Sequence, residues 1–120
     1  LAAALAAHQP LVVMVSLQGC PFCRVVRQSH LAPMMAQGQI HAVQVDMRSS
    51  RATQGWQGEA TTHDALVRGW GIKVTPTLLF VGPGGREVAP RLEGALLEDF
   101  YGAYLDDRLQ AARKAVLAAA

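Results

Sequence analysis

The sequence predicts an α/β fold in a single domain, residues 1–120, with a four-stranded mixed sheet flanked by helices and a long C-terminal helix. The order of elements along the chain is helix, strand, helix, strand, helix, hairpin, helix. A strand, a crossover helix and a second strand predict a parallel pair, and the hairpin adds two antiparallel strands. The length of 120 residues suits one domain, and 51% apolar residues are enough for one core.

The N-terminal segment predicts a short helix followed by a central strand. Residues Leu1–His8 are rich in alanine and leucine, and Pro10 is a natural stop for a helix. We prefer this interpretation to the tail of a signal peptide. The run Leu11–Leu17 is continuously apolar and rich in β-branched residues, which is typical of a strand covered on both faces.

A helix that begins at a proline and a second strand are predicted next. Pro21 suits the first position of a helix, which we expect to run to about His30. Pro33 is expected to start a further short turn that ends at Gly38. The segment Ile40–Asp46 alternates apolar and polar residues with a period of two, and so predicts a strand parallel to the first one.

The middle of the chain is predicted to hold a long loop and a helix. Residues Met47–Thr61 are mostly polar and contain glycines, so we expect a loop there. Trp56 in this loop could cover the cysteines or bind a partner, but we favour simple packing. The helix is expected from His63 to about Trp70, capped by one of the two preceding threonines and ended by the following glycine.

A hairpin and a helix complete the predicted fold. Thr77–Val81 is an apolar strand, the Gly-Pro-Gly-Gly sequence at 82–85 is a turn, and Arg86–Arg91 is the returning strand. An apolar stripe predicts the last helix, with acidic residues near its start and basic residues near its end, which complements the helix dipole. The stripe comprises Leu97, Phe100 or Tyr101, Tyr104 and Leu105, and the charged residues are Glu98, Asp99, Arg113 and Lys114.

The charge balance argues against two classes of partner. The chain carries 11 Lys and Arg against 9 Asp and Glu, which gives a formal net charge of +2, and it has no basic run. That pattern offers no footprint for nucleic acid or for an anionic membrane surface. No apolar stretch of the sequence is long enough to span a bilayer. We therefore expect neither nucleic-acid binding nor membrane insertion.

The two cysteines form a C-x-x-C motif, Cys20-Pro-Phe-Cys23, where the first strand ends and a helix begins. The spacing places both sulfurs within reach of a disulfide across one helical turn. A helix N-terminus offers free N–H groups and the positive end of the dipole, and both favour a thiolate at Cys20. The thiolate attacks in disulfide exchange, and Cys23, one turn deeper, can resolve the mixed disulfide. The motif therefore predicts thiol–disulfide redox chemistry.

Other interpretations of this region are less favoured. A metal site would need two further ligands, and no histidine pairs with another at zinc-finger spacing. The four histidines are His8, His30, His41 and His63. A non-catalytic binding module with a structural disulfide is the alternative function, and no cofactor is predicted. Arg24 and Arg27 could lower the pKa of a nearby thiolate, but a solvated helix surface is the favoured interpretation of both.

A second motif, Val74-Thr75-Pro76-Thr77, stands just before the apolar strand of the hairpin. Proline is disfavoured inside a central strand, so Pro76 marks the point where this strand starts. A cis bond after Thr75 is possible because the next residue is proline, and an ordinary trans proline is the alternative.

Together these features resemble the thioredoxin superfamily. The match runs from Pro10 to about Leu105, and its most specific part is Gly71–Phe80 at this distance from the cysteines. It also rests on Leu11–Leu17, Cys20-Pro-Phe-Cys23, Val43–Asp46 and Glu93-Gly94. The resemblance implies a thioredoxin fold in which Cys20 is the nucleophile, Cys23 resolves, and a cis Pro76 lies beside them.

The resemblance also implies which substrates the protein acts on and which residues contact them. Protein thiols and disulfides are the implied substrates, and Pro21 and Phe22 lie between the cysteines, where they tune the site or contact the substrate. The backbone of Thr75, beside Pro76, is expected to pair with an extended substrate segment.

Within the superfamily, three segments resemble bacterial periplasmic thioredoxin-like proteins, among them the sulfur-oxidation type and the soluble C-terminal domain of the membrane thiol reductase. These segments are Gln9-Pro-Leu-Val-Val, His30-Leu-Ala-Pro-Met-Met and Gly84-Gly-Arg-Glu. That similarity implies a periplasmic monomer that has lost a signal or anchor and is served by a membrane or periplasmic thiol donor. Three departures stand out: Gly19 replaces the tryptophan of thioredoxin, Met14 replaces its buried acid, and the segment Met47–Thr61 is longer.

Overall fold

The computed structural model describes residues 1–94 and 100–119, in which helices flank a four-stranded sheet. The strands are β1 Leu11–Ser16, β2 His41–Asp46, β3 Ala52–Gln54, β4 Ala60–Thr62, β5 Thr77–Val81 and β6 Glu87–Glu93. The helices are α1 Ala2–Ala6, α2 Pro21–Val25, α3 Ala32–Ala36, α4 His63–Gly69 and α5 Tyr101–Ala118. A π-helical segment, Val26–Leu31, joins α2 to α3, and a 3₁₀ turn, Pro83–Gly85, joins β5 to β6.

The sheet has the strand order β2-β1-β5-β6. β1 is parallel to β2 and antiparallel to β5, which in turn pairs antiparallel with β6. All six residues of β1 and all five of β5 are buried, as the apolar runs in the sequence predict for central strands. The predicted α/β fold with a mixed four-stranded sheet is therefore confirmed.

Alternate residues of β1 supply the two halves of the core. Val12 and Met14 join a cluster with Cys23 and with residues of α5, whereas Val13 and Val15 join a cluster with residues of α1 and α4. Helix α2, which carries Cys23, and helix α4 thus lie on opposite faces of the same strand.

The apolar stripe of α5 differs from the predicted one. Its buried residues are Tyr101, Leu105, Leu109, Ala112 and Val116, spaced by three or four as a helix face requires. Of the predicted stripe, Leu105 and Tyr101, the alternative to Phe100, face the sheet, whereas Phe100 is 58% exposed and Tyr104 is 37% exposed. Leu97, Glu98 and Asp99, also named in that prediction, lie outside the described residues.

The helix that follows the cysteines continues past its predicted end. Instead of ending near His30 and restarting as a short turn, the chain stays helical from Pro21 through the π segment into α3. Pro33 lies in the first turn of α3. In a regular α-helix its ring would collide with the carbonyl of Ser29, and the wider π turn before α3 relieves that collision.

The predicted loop at Met47–Thr61 contains a small antiparallel hairpin of β3 and β4. Trp56 lies near its tip and stacks on Trp70, with ring centroids 6.2 Å apart and planes 26° apart. Both indoles pack against the cluster formed with α1 and α4, so the favoured packing interpretation of Trp56 is correct. Strands of three residues that are mostly exposed carry too weak a pattern to be predicted.

The edge strand β2 shows only part of the predicted alternation. Val45 is buried, but Val43 is 45% exposed. Val43 lies on the wall of a cavity of about 400 Å³ that Trp56 and Trp70 also line, so the hairpin covers this strand incompletely.

Candidate functional site

A tight turn carries the chain from β1 to the first cysteine. The N–H of Cys20 donates to the carbonyl of Leu17 over 3.1 Å, and Gly19 in the turn has φ +83°. That conformation is unfavourable for a side chain with a Cβ. The glycine that stands where thioredoxin has tryptophan is therefore suited to the backbone of this turn.

The cysteines lie at the start of the helix, as predicted. Cys20 is the N-cap of α2 with extended backbone, and its Sγ accepts the N–H of Cys23 over 3.2 Å. The two residues form a disulfide, with their Cα atoms 5.3 Å apart. Cys20 is half-buried, whereas Cys23 is only 1% exposed. An attacking sulfur from another molecule can therefore reach Cys20 far more easily than Cys23.

The two residues between the cysteines face solvent. Pro21 occupies the first helical position, where its missing N–H leaves no hydrogen bond unmade. Phe22 is 45% exposed, so its ring offers an apolar contact beside the disulfide.

The Thr75-Pro76 motif lies beside the same end of β1. Thr77 pairs with Val15, so the residues before Thr77 lie next to the end of β1 that leads to the cysteines. The Thr75–Pro76 peptide bond is cis and Pro76 is fully buried. The hydroxyl of Thr77 donates to the carbonyl of Val74 over 2.7 Å, which fixes the shape of this loop.

Behind the cysteines the core is apolar. Met14 is 2% exposed and belongs to the cluster that contains Cys23. Tyr101 belongs to the same cluster, and the pKa of its phenol is raised above its ordinary value because it is buried. A phenol kept protonated and a thioether offer no base that could take up the proton of the Cys23 thiol.

A groove beside Cys20, not predicted from the sequence, extends the site towards β2. It has a volume of about 1000 Å³ and lies between the turn and helix that follow β1 on one side and the end of β2 with the residues after it on the other. Its arginines are Arg24, Arg27 and Arg48. The carboxyl ends of the parallel strands β1 and β2 meet at one edge of the sheet, and this rule is the signal that could have predicted the groove.

Hydrogen bonds tie the groove to the hairpin region. Arg27 donates to the side-chain oxygen of Gln44 over 2.9 Å, and Gln44 donates to Asp46 over 2.7 Å. Asp46 also accepts Arg51 at 2.9 Å. Buried His63 anchors this end of β2, because its Nδ1 accepts the N–H of Asp46 over 2.9 Å.

Two further features concern residues 1–94 and 100–119, namely metal-ligating groups and membrane-spanning helices. No group of three or more His, Cys, Asp or Glu side chains there could hold a metal ion. None of the helices in that part of the chain is both long and apolar enough to cross a membrane.

Solved structures share this fold at low sequence identity. A thioredoxin-fold protein from Helicobacter pylori is 14% identical with a TM-score of 0.56, and covers 92% of this chain and 83% of its own. The periplasmic thioredoxin SoxS from Paracoccus pantotrophus is 20% identical with a TM-score of 0.55, covering 87% and 99%. A DsbH oxidoreductase is 18% identical with a TM-score of 0.59, covering 94% and 81%.

The family assignment rests on the sequence as well as on the fold. No curated protein matches the chain significantly. Residues 1–109, however, match the family described as a thioredoxin-like domain. That match spans the turn, both cysteines, the Thr75-Pro76 loop and the four-stranded sheet. The resemblance to the thioredoxin superfamily is thus confirmed, and the chain belongs to the thioredoxin-like domain family.

Proposed function

We propose that this protein is a thiol–disulfide oxidoreductase that exchanges disulfides of other proteins through Cys20 and Cys23. The observation that carries the proposal is the asymmetry of the pair: Cys20 is only half-buried and caps a helix, while Cys23 is buried one turn behind it. The N–H of Cys23 that Sγ of Cys20 accepts would stabilise the negative charge of a Cys20 thiolate.

The exchange proceeds in two displacements. The Cys20 thiolate attacks one sulfur of the substrate disulfide, which forms a mixed disulfide and releases the first substrate thiolate. The Cys23 thiolate then attacks Sγ of Cys20, which forms the Cys20–Cys23 disulfide and releases the second substrate thiolate. The substrate gains two electrons and two protons, and the protein loses them.

The surroundings of the pair support contact with an extended substrate. Phe22 and Val74 are 45% and 48% exposed and offer apolar contacts. Thr75 is half-buried, and its backbone is proposed to pair with the substrate main chain beside Pro21 and Pro76.

We place this activity in the bacterial periplasm, in a monomer that receives electrons from a membrane or periplasmic thiol donor. Support comes from SoxS, a periplasmic thioredoxin that shares the fold over 87% of this chain. The alternative is a binding module in which the disulfide is only structural. The accessible position of Cys20 favours exchange, since a structural disulfide gains nothing from exposure.

The test measures the rate at which the protein reduces insulin while dithiothreitol keeps the protein reduced. A second measurement traps substrates as mixed disulfides. Cys23→Ser should accumulate a mixed disulfide because resolution is lost, whereas Cys20→Ser should trap little and reduce no insulin. Equal trapping by both variants would contradict the assigned roles. A wild-type protein that does not accelerate insulin reduction would support the binding module instead.

A further inference from the structure

The groove beside Cys20 has an excess of positive charge. We call it the cationic groove, and its lining is Ser16–Pro21, Arg24, Arg27, Gln44 and Asp46–Ser50. Three guanidinium groups line it against a single carboxylate, that of Asp46. Arg51, outside the lining, donates to this carboxylate at 2.9 Å and so neutralises it.

The three arginines of the groove differ in their exposure and in the contacts that they already make. Arg27 donates to the neutral amide of Gln44, so its charge is not compensated by that contact. Arg24 and Arg48 are exposed, and neither forms an ion pair with any residue of ranges 1–94 and 100–119. The groove therefore presents about three uncompensated positive charges next to the reactive sulfur.

The position of these charges links them to the reaction. Cys20 and Pro21 belong to the lining, so a substrate whose sulfur reaches Cys20 comes next to the groove. Charges that flank a reactive atom raise the encounter rate with groups of opposite sign. Positive charges at this position favour substrates that carry negative charge next to their disulfide.

We propose that the cationic groove binds an acidic polypeptide segment next to the substrate disulfide, so that the enzyme prefers disulfides flanked by Asp or Glu. This inference rests on the proposed function and adds the substrate class to it. A volume of about 1000 Å³ is at the upper end for a ligand site and takes several residues rather than one side chain. Ser49 and Ser50 add polar groups for the backbone of the bound segment.

The experiment compares three peptides that have the same intramolecular disulfide and differ only in flanking residues, which are acidic, neutral or basic. With the reduced wild-type protein at low ionic strength, we expect kcat/KM to be about five-fold higher for the acidic than for the neutral peptide, as two or three partly exposed ion pairs allow. The basic peptide should be slower than the neutral one. The acidic advantage should shrink as salt is added.

Arginine variants test whether the groove causes the preference for acidic peptides. In Arg24→Gln/Arg48→Gln the ratio of kcat/KM between acidic and neutral peptides should fall towards one. The ratio is the informative quantity, because any change in the reactivity of Cys20 affects both peptides alike. Arg86→Gln removes an exposed arginine outside the groove lining and should leave the ratio at its wild-type value.

The outcomes separate the two proposals. Equal rates for all three peptides, or a ratio that survives Arg24→Gln/Arg48→Gln, would overturn the cationic groove while the oxidoreductase stands. Absence of turnover with every peptide would overturn the proposed function and the inference with it. A ratio that falls equally in Arg86→Gln would show a general charge effect and would also overturn the groove.

Discussion

Tyr101 places a polar group in the core at the start of α5. Its side chain is 3% exposed, and its hydroxyl has no hydrogen-bond partner among residues 1–94 and 100–119. A buried hydroxyl without a partner costs free energy, and removing it can be neutral or stabilising. Tyr101→Phe should therefore leave the free energy of unfolding unchanged or raise it by up to about 1 kcal/mol. Urea unfolding at pH 7 measures this change.

The burial of Tyr101 also predicts that the folded protein loses stability at alkaline pH. Burial raises the pKa of Tyr101 in the folded protein, whereas in the unfolded chain the phenol ionises near its ordinary value of 10.0. Above that pH only the unfolded state releases the proton, so the stability supplied by this group falls as pH rises. Between pH 8 and pH 11 the wild type should lose about 1.4 kcal/mol that Tyr101→Phe retains.

The control for this prediction is on the same helix. Tyr104 is 37% exposed, so Tyr104→Phe should show the full alkaline loss of the wild type. An identical pH dependence of unfolding in Tyr101→Phe and wild type would contradict the buried state of the Tyr101 phenol.

The hairpin of β3 and β4 is held to the sheet by contacts at its tip. Trp56 stacks on Trp70 and also packs against Gly85 in the turn between β5 and β6, where an added Cβ would collide with the indole. Gly85 and Gly84 both have positive φ, at +80° and +71°, but a Cβ on Gly84 would meet nothing. Alanine substitutions at Gly84 and Gly85 therefore separate the free-energy cost of the left-handed backbone from the cost of the collision with Trp56.

Alanine at these glycines should therefore have unequal effects. Gly84→Ala should cost about 1–2 kcal/mol, the price of a left-handed conformation for a residue with a Cβ. Gly85→Ala should cost about 1–3 kcal/mol more, because Trp56 must also move. Chemical unfolding measures both costs, and Trp fluorescence should change only in Gly85→Ala. Equal costs for the two variants would show that Trp56 does not rest on this turn.

Elements with strong local signals were predictable from the sequence, and elements decided by distant contacts were not. The apolar run of β1 and the proline at the start of α2 each fix their own local structure, so the bounds of β1 and the start of α2 agree with prediction to within about a residue. The face of α5 depends on which residues meet the sheet, and it passes through Tyr101 rather than Tyr104. The hairpin depends on Trp56 meeting Trp70, which a short polar pattern does not reveal.

At the scale of the whole molecule, the site is assembled from segments far apart in the chain. The cysteine motif was predictable because strand, turn and helix start are consecutive. The cationic groove was not predicted, although the predicted parallel pairing of β1 with β2 is what brings Arg48 to the side of Arg24. In the sequence Arg24 is interpreted as solvated helix surface, because the strand pairing is not combined there with the positions of the arginines that follow each strand.

The redox potential of the Cys20–Cys23 couple is a property of the whole fold, because it reflects how strongly the folded protein favours thiols over the disulfide. One N–H donates to Sγ of Cys20, and Arg24 and Arg48 line the groove next to it, so the reduced form gains stabilisation. Pro21 supplies no N–H and Phe22 no charge, which keeps this gain moderate. We therefore expect a potential between roughly −270 and −180 mV, the interval from thioredoxin to protein disulfide isomerase.

Equilibration with glutathione buffers measures this potential. Replacing Arg24 and Arg48 should shift it in a direction that follows from their charge. Removing positive charge destabilises the thiolate and hence the reduced form, so Arg24→Gln/Arg48→Gln should have a more negative potential than the wild type. The shift should stay below about 30 mV, because 30 mV corresponds to about 1.4 kcal/mol and the two side chains are exposed. A potential near −120 mV would instead mark a dedicated oxidant, since the reduced form would then be far more strongly stabilised. A potential well below about −300 mV would mark a structural disulfide, and the binding module would replace the oxidoreductase as the function of this chain.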